Sequence, residues 1–342
     1  MNDKTDFKKI GQVILKKYSS LVVLLVIVIF ASFISEYFLK PSNLLNVLRQ
    51  ITSNGILSIG LLLVIMTGGI DISIGSVVGV TSVLFAAFYF PEKAEGPFHG
   101  LITLISKVIP KGKAGLIVIF IFLLLVGMLL GFINGIVICK ANVQPFIMTI
   151  GTLTLYRGIA LLASNGKPIY MDEERSELVS FLGSGTVAFG LPTQLLVLAI
   201  VAIIVAFLLN KTIFGRYIRA IGGNEEAALV AGINVDRYKI SAYMLCSVMA
   251  VIAGFVLTSR TTTGDPTLGE SFEMNAIASC VIGGASLSGG VGTVFGTIIG
   301  AIIIGIINNI LNLANISTYY QYVVRGGIII LAVIFNSKRK SK

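Results

Sequence analysis

Between Ala114 and Ile138 the chain runs through LIVIFIFLLLVGMLLGFINGIVI without a single charge. At 1.5 Å per residue a helix over this stretch is about 37 Å long, more than the roughly 30 Å hydrocarbon core of a bilayer. A helix apolar on every side has no face to offer water. The rest of the chain agrees with this segment: 55% of its 342 residues are hydrophobic and 12% are charged. Soluble domains carry about twice that charge. The expected fold is therefore an all-α, polytopic transmembrane helical bundle.

Ten apolar segments are candidate spans: 19–35, 52–68, 72–90, 114–138, 144–163, 192–210, 240–258, 274–290, 293–314 and 319–336. The segments 52–68 and 274–290 are short and glycine-rich, which suits a broken or re-entrant helix. An eight-span bundle with two re-entrant segments satisfies the same pattern. The lysine-rich head (Lys4, Lys8, Lys9, Lys16, Lys17) before the first segment is not followed by a convincing cleavage site, so that segment reads as an uncleaved first helix. The expected division is a tail over 1–18, one permease domain over 19–336 and a basic tail over 337–342.

The placement of charge sets the orientation. With ten spans, the side of the N-terminus collects 15 basic and 5 acidic residues, and the opposite side 9 basic and 10 acidic. The basic excess marks the cytoplasm, so both termini and the loop 211–239 are expected there. The formal charge of +10 is thus spent on topology. Scattered over short segments, it makes no surface for nucleic acid.

Three charges fall inside apolar segments, where each is costly: Asp71, Arg157 and Arg325. Asp71, in MTGGIDISIGSVVG, reads either as a gate residue or as an N-terminal cap of the following helix, the cap being favoured. The two arginines read either as snorkelling to an interface or as lining a polar path, with the structural reading favoured. Asn134, Asn308, Asn309 and Asn312 suit hydrogen bonds between helices or to the hydroxyls of a solute. Together with Asp71 and Ser73 they are the candidates for a gate or translocation path.

Small residues recur at four-residue spacing: Gly75 and Gly79, Gly131 and Gly135, then Gly292, Gly296 and Gly300. Close helix packing is the expectation at all seven. A faint internal echo links GGIDISIG (68–75) with GGASLSGG (283–290), a trace of the structural repeats that transporters often carry.

No G-x-x-x-x-G-K-[ST] loop, G-x-S-x-G elbow or H-E-x-x-H site occurs. Cys139, Cys246 and Cys280 fit no metal or disulfide spacing and read as small buried hydrophobes; His99 lies in a polar stretch. No metal site, no cofactor in this chain and no enzymatic activity are expected.

The longest loop of the basic side, KTIFGRYIRAIGGNEEAALVAGINVDRYK (211–239), turns at Gly222-Gly223-Asn224. Asn224 is placed to cap a short helix that starts at Glu225, and Gly232 to stop it. Such a rigid element suits docking on a partner. Its E-A-A-x-x-x-G run, Glu226 to Gly232, resembles the coupling motif of ABC importer permeases, and FGRYIRAIGGNEEAALVAGINV resembles the ribose- and galactose-type monosaccharide group. TGGIDISIGSVVG (67–79), NVQPFIMTIGT (142–152), AIASCVIGGASLSGGVGTVFGTIIGA (276–301) and INNILNLANISTYYQYVVRGGIIILAV (307–333) extend the resemblance over about 20–336.

The resemblance implies a multi-pass subunit of the bacterial cytoplasmic membrane that works as a pair, with a second copy of itself or a close homologue. It implies a cytoplasmic ATPase, carrying ATP and magnesium, seated on Glu225, Glu226, Ala227, Ala228, Gly232 and Ile233. It implies an extracytoplasmic sugar-binding protein that meets loops 164–191 and 259–273. Permeases for nucleosides, branched amino acids or a sugar-like signal molecule are the near alternative, and a secondary transporter the distant one.

Overall fold

The computed structural model describes residues 19–340 apart from 111, 172 and 188–189. The tail 1–18 with its lysines, and Lys111, Asp172 and Lys342, lie outside the described residues.

Fourteen α-helices are described: α1 (Ser19–Ile34), α2 (Pro41–Met66), α3 (Ile74–Tyr89), α4 (His99–Ser106), α5 (Lys113–Lys140), α6 (Pro145–Ala163), α7 (Glu173–Ser184), α8 (Thr193–Lys211), α9 (Ile213–Gly223), α10 (Glu225–Val230), α11 (Val235–Thr261), α12 (Phe272–Ile282), α13 (Val294–Leu313) and α14 (Thr318–Lys340). The only ladder among the described residues pairs Ile169–Tyr170 (β1) with Thr263–Gly264 (β2). Six helices, α2, α5, α6, α8, α11 and α13, are long and apolar enough to cross a membrane; α1, α3 and α12 are shorter apolar helices. The chain is an all-α polytopic membrane protein.

Local chemistry explains the boundaries. Pro41 and Pro145 open α2 and α6, where a missing N–H costs nothing. Asn234 caps α11 by accepting from Arg237 N at 3.1 Å, and Thr293 caps α13 by accepting from Gly296 N at 3.1 Å. Helix α2 is longer than the expected span 52–68: the polar run Ser42–Gln50 is helical too, and no break interrupts it.

Helix α11 is the centre of the bundle, packed against α2, α3 and α5. The core between them is apolar and aromatic, with the Phe255 ring tilted against Phe85 at 4.4 Å and against Phe120 at 4.8 Å between ring centroids. A second apolar cluster, including Ala31, Phe38, Ile51, Ala301 and Ile306, ties α1 to α2 and α13.

The expected span 274–290 is not one helix. Helix α12 covers 11 residues, about 16 Å, and cannot cross a bilayer core alone. The chain that precedes it, placed on an outer surface by the sequence reading of loop 259–273, instead runs inside the bundle along α3. Asp265 N donates to Ser82 Oγ at 3.0 Å, and Gly269 lies against Gly75. Irregular backbone is tolerated at depth only where protein satisfies it. Here Arg157 of α6 does so. Its guanidinium donates to the carbonyls of Pro266, Leu268 (3.1 Å) and Gly75 (3.3 Å).

Gly75 and Gly79 therefore serve a purpose other than helix-on-helix contact. A methyl on Gly79 would strike Arg157 and Pro266, and one on Gly75 would strike Glu273 and Gly269. Gly131 and Gly135 do lie against helix backbone, at Tyr243–Met244 and Ile240 of α11. Gly296 and Gly300 approach the carbonyls of Gly283 and Ser279, whereas Gly292 precedes α13 and faces Leu62 and Ala285.

Candidate functional site

The two echoing glycine segments meet in space. Segment 67–73 follows α2, and segment 283–293 follows α12. Gly290 donates its N–H to Met66 O at 3.0 Å, and Gly68 lies beside Ser288. Gly68, Gly289 and Gly290 hold φ of 81°, 91° and 74°, a region that only glycine enters without strain.

A third glycine turn closes on this pair. Gly222, at the end of α9, has no room for a methyl because Met66 O and Gly290 N occupy its place. The basic start of the loop 211–239 is itself a helix, α9, and it is amphipathic. Gly215, Ile218 and Ile221 face inward and Arg216 faces solvent. Thr212 caps it through its hydroxyl.

Helix α10 follows at once. Asn224 Oδ1 accepts from Ala227 N at 3.0 Å, and Gly232, at φ 80°, ends the helix by donating to Leu229 O at 2.9 Å. Ala228 turns inward onto Ile221 and Val235, and Ile233 packs on the same cluster. Glu225, Glu226, Ala227 and Gly232 are exposed. The most exposed apolar side chains, however, are Leu229 and Val230, at 55% and 91%. They fill the variable positions of the E-A-A-x-x-x-G motif, and their apolar character beside Glu225 and Glu226 is the signal that marks them.

Glu225 is also engaged within the chain: Lys239 Nζ donates to its Oε2 at 2.6 Å. Lys140 makes a similar pair with Asp236 at 2.6 Å. The turns at Gly68–Gly69 and Gly222–Gly223, with Glu225, Lys239 and Tyr243, line a cavity of about 390 Å³ that also touches Ser288.

Above the junction lies a sealed polar cluster. Asp71 is fully buried and does not cap α3: its Oδ1 accepts from Ser73 N at 2.9 Å and from Ser73 Oγ at 2.6 Å, two residues on. Asn134 donates to Ser73 Oγ at 2.9 Å, and Tyr156 donates to Leu130 O at 3.0 Å, with Asn134 Oδ1 at 3.5 Å. Asp71 Oδ2 has no hydrogen-bond partner among the described residues.

The structure thus brings Asp71, Ser73 and Asn134 together, and places Asn308, Asn309 and Asn312 elsewhere, each in a contact between elements. Asn309 and Asn43 exchange amide bonds at 2.8 and 3.0 Å. Asn308 accepts from Arg325 at 3.0 Å, and Asn312 from Gln321 at 2.8 Å. Cys246 and Cys280 are buried and Cys139 half-buried, all as free thiols. Among the described residues, no group of three or more His, Cys, Asp or Glu is arranged to hold a metal. Where the chain leaves α3, Lys167 hydrogen-bonds Glu95 at 3.0 Å and holds that carboxyl below the usual range.

A multi-pass helical bundle with glycine-rich backbone breaks, joined to a short capped helix, defines a polytopic membrane protein. The chain belongs to the family described as branched-chain amino acid transport system / permease component, whose pattern matches residues 43–333. It is 39% identical to the ribose import permease protein RbsC of Bacillus subtilis, over 96% of this chain and 95% of that one. It is 36% identical to the ribose import permease protein RbsC of Haemophilus influenzae, over 98% and 97%. It is 35% identical to the D-allose transport system permease protein AlsC of Escherichia coli, over 93% and 90%. No solved structure matches the chain.

Proposed function

We propose that this chain is the membrane-spanning permease subunit of an ATP-driven ABC importer for a monosaccharide of the ribose type, in the bacterial cytoplasmic membrane. The observation that carries the reading is similarity to ribose import permeases along almost the whole chain. The geometry supports the division of labour: α10 presents Leu229 and Val230 outward while its inner face is fixed to the bundle.

In this reading a separate ATPase, which binds ATP and magnesium, seats on α10, where Glu226 and Ala227 are exposed, and on Gly232 just beyond it. An extracytoplasmic binding protein delivers the sugar, and a second copy of this chain completes the path. The permease domain spans 19–336 between its two tails, in ten crossings with both termini cytoplasmic, the eighth being half a chain of turns and half helix α12. ATP-driven motion of α9 and α10 passes to the two glycine breaks through Gly222, as rigid-body movement of packed elements. Asp71, Ser73 and Asn134 then form a fixed polar hinge beside the path.

Uptake of labelled ribose, D-allose and leucine into proteoliposomes tests this. They contain the chain with the ATPase and binding protein encoded beside it. Ribose-class uptake that needs all three components and internal ATP is the expected result. Uptake by this chain alone on an ion gradient, or uptake of leucine only, overturns it.

A further inference from the structure

We infer that Glu270, on the segment between α11 and α12, faces the aqueous solute path at mid-membrane depth and binds the hydroxyls of the transported sugar; this rests on the proposed function.

Depth follows from the contacts of the segment. Gly264 lies against Ala86, Pro266 and Leu268 against Gly79, and Gly269 against Gly75. Gly75 is 14 residues from Tyr89, the far end of α3, so Gly269 sits about 21 Å below that end. A second ruler is shallower but still inside the core: Arg157, which grips Pro266 and Leu268, lies six residues below the end of α6 at Ala163, about 9 Å. Glu270 is thus deep within a hydrocarbon core about 30 Å thick.

At that depth Glu270 is exposed on the surface of the chain and has no ion pair or side-chain hydrogen bond among the described residues; its backbone N–H donates to Thr267 O at 3.2 Å. Its neighbours differ. Glu273 is 8% exposed, and Asp265 Oδ1 is occupied by Thr267 N and Oγ1 at 2.8 and 2.7 Å. An acidic side chain facing lipid at a helix centre costs about 2.5–3.5 kcal/mol on insertion scales. The exposed face therefore meets water rather than lipid. Thr267 is exposed beside it, and helix α12 starts two residues on, with its N-terminal dipole at the same depth. A carboxylate that accepts hydrogen bonds from two hydroxyls, on a segment clamped by Arg157, is suited to a neutral polyhydroxyl ligand. A cation-binding role is disfavoured by that arginine.

The test uses the complete importer in proteoliposomes. Glu270→Gln is expected to raise the KM for ribose uptake about tenfold, the loss of one charge-assisted hydrogen bond, with Glu270→Asp between the two. In a Cys139→Ser background, Glu270→Cys is expected to react with a charged, membrane-impermeant thiol reagent and to be protected by sugar plus binding protein. An unchanged KM while wild type imports ribose overturns the assignment and leaves the proposed function standing. Reaction only with a lipid-soluble maleimide, or spontaneous disulfide linkage of two copies with uptake intact, overturns it in favour of a lipid-facing or subunit-contact residue. Sugar-protected labelling in a protein that imports another polyol in place of ribose supports the path and overturns the choice of ribose.

Discussion

The N–H of Gly290 points at the carbonyl of Met66 across 3.0 Å, so the break after α12 is bonded to the last residue of α2. Gly222 of α9 lies in van der Waals contact with both. A displacement of α9 toward this pair must move it, because backbone in contact has no slack in that direction.

Gly222→Ala places a methyl onto Met66 O and Gly290 N, neither of which can rotate away. The expected cost is about 1–3 kcal/mol of overpacking, read as a lower Tm of the detergent-purified protein and a loss of ATP-driven uptake. Gly223→Ala is the control. Nothing lies within 4 Å of the methyl it would add, so Tm and uptake should stay near wild type. Equal loss in both variants would mean that the loop, not the three-way contact, sets the response.

The Lys239–Glu225 pair fastens the first turn of α10 to α11, with side-chain exposures of 20% and 48%. Glu225→Lys sets two cations together and is expected to loosen α10 and lower coupled uptake about threefold, the scale of a partly exposed pair of up to about 1 kcal/mol. Adding Lys239→Glu restores the attraction with reversed polarity and should recover most of the rate. Were Glu225 instead a direct contact of the ATPase, the double variant would be no better than the single one. Salt should weaken the rescue.

Much of this molecule is written in hydrophobic runs, and those were readable. The ends of α5, α6, α8 and α13 fall within one or two residues of the apolar segments, because long unbroken runs leave a helix no other solution in lipid. Asn224 and Gly232 declared α10 through capping chemistry that acts within four residues. Less legible was anything decided by distant partners. Glu270 and Glu273 looked like outer-loop acids, because nothing local reveals that Arg157, more than 100 residues earlier, draws their segment into the bundle. Gly75 and Gly79 carry the spacing of a helix contact but make room for that same segment. Asp71 reads as a cap, but the helix begins two residues later, with Ser73 at the cap position, and the Asp71 carboxylate turns onto Ser73 instead.

Val230→Asp tests the docking face. With the side chain 91% exposed, the substitution removes nothing from the core, so Tm should be unchanged. It puts a charge where an apolar contact is proposed, and co-purification of the ATPase with the permease should fall by about tenfold or more. Ala228→Asp should behave in the opposite manner. Ala228 is 4% exposed against Ile221 and Val235, so a carboxylate there should lower Tm outright. Undiminished co-purification with Val230→Asp would move the docking surface away from α10.

Asp71 separates the role of a carboxylate oxygen from that of its charge. Oδ1 satisfies both the N–H and the hydroxyl of Ser73, while Oδ2 has no hydrogen-bond partner among the described residues. Asp71→Asn keeps an acceptor for Ser73 and removes the cost of a buried charge, so its Tm should equal or exceed that of wild type. Asp71→Ala leaves the Ser73 donors without an acceptor in a sealed site. It should cost about 1–3 kcal/mol, with a corresponding fall in Tm. The bond from Asn134 to Ser73 Oγ would then be the only fixed contact of that hydroxyl, so Asp71→Ala with Asn134→Ala should be less than additive, as expected for members of one network. A Tm for Asp71→Asn as low as that for Asp71→Ala would identify the negative charge itself as the structural requirement, and would make Asp71 an ionic rather than a hydrogen-bonding anchor.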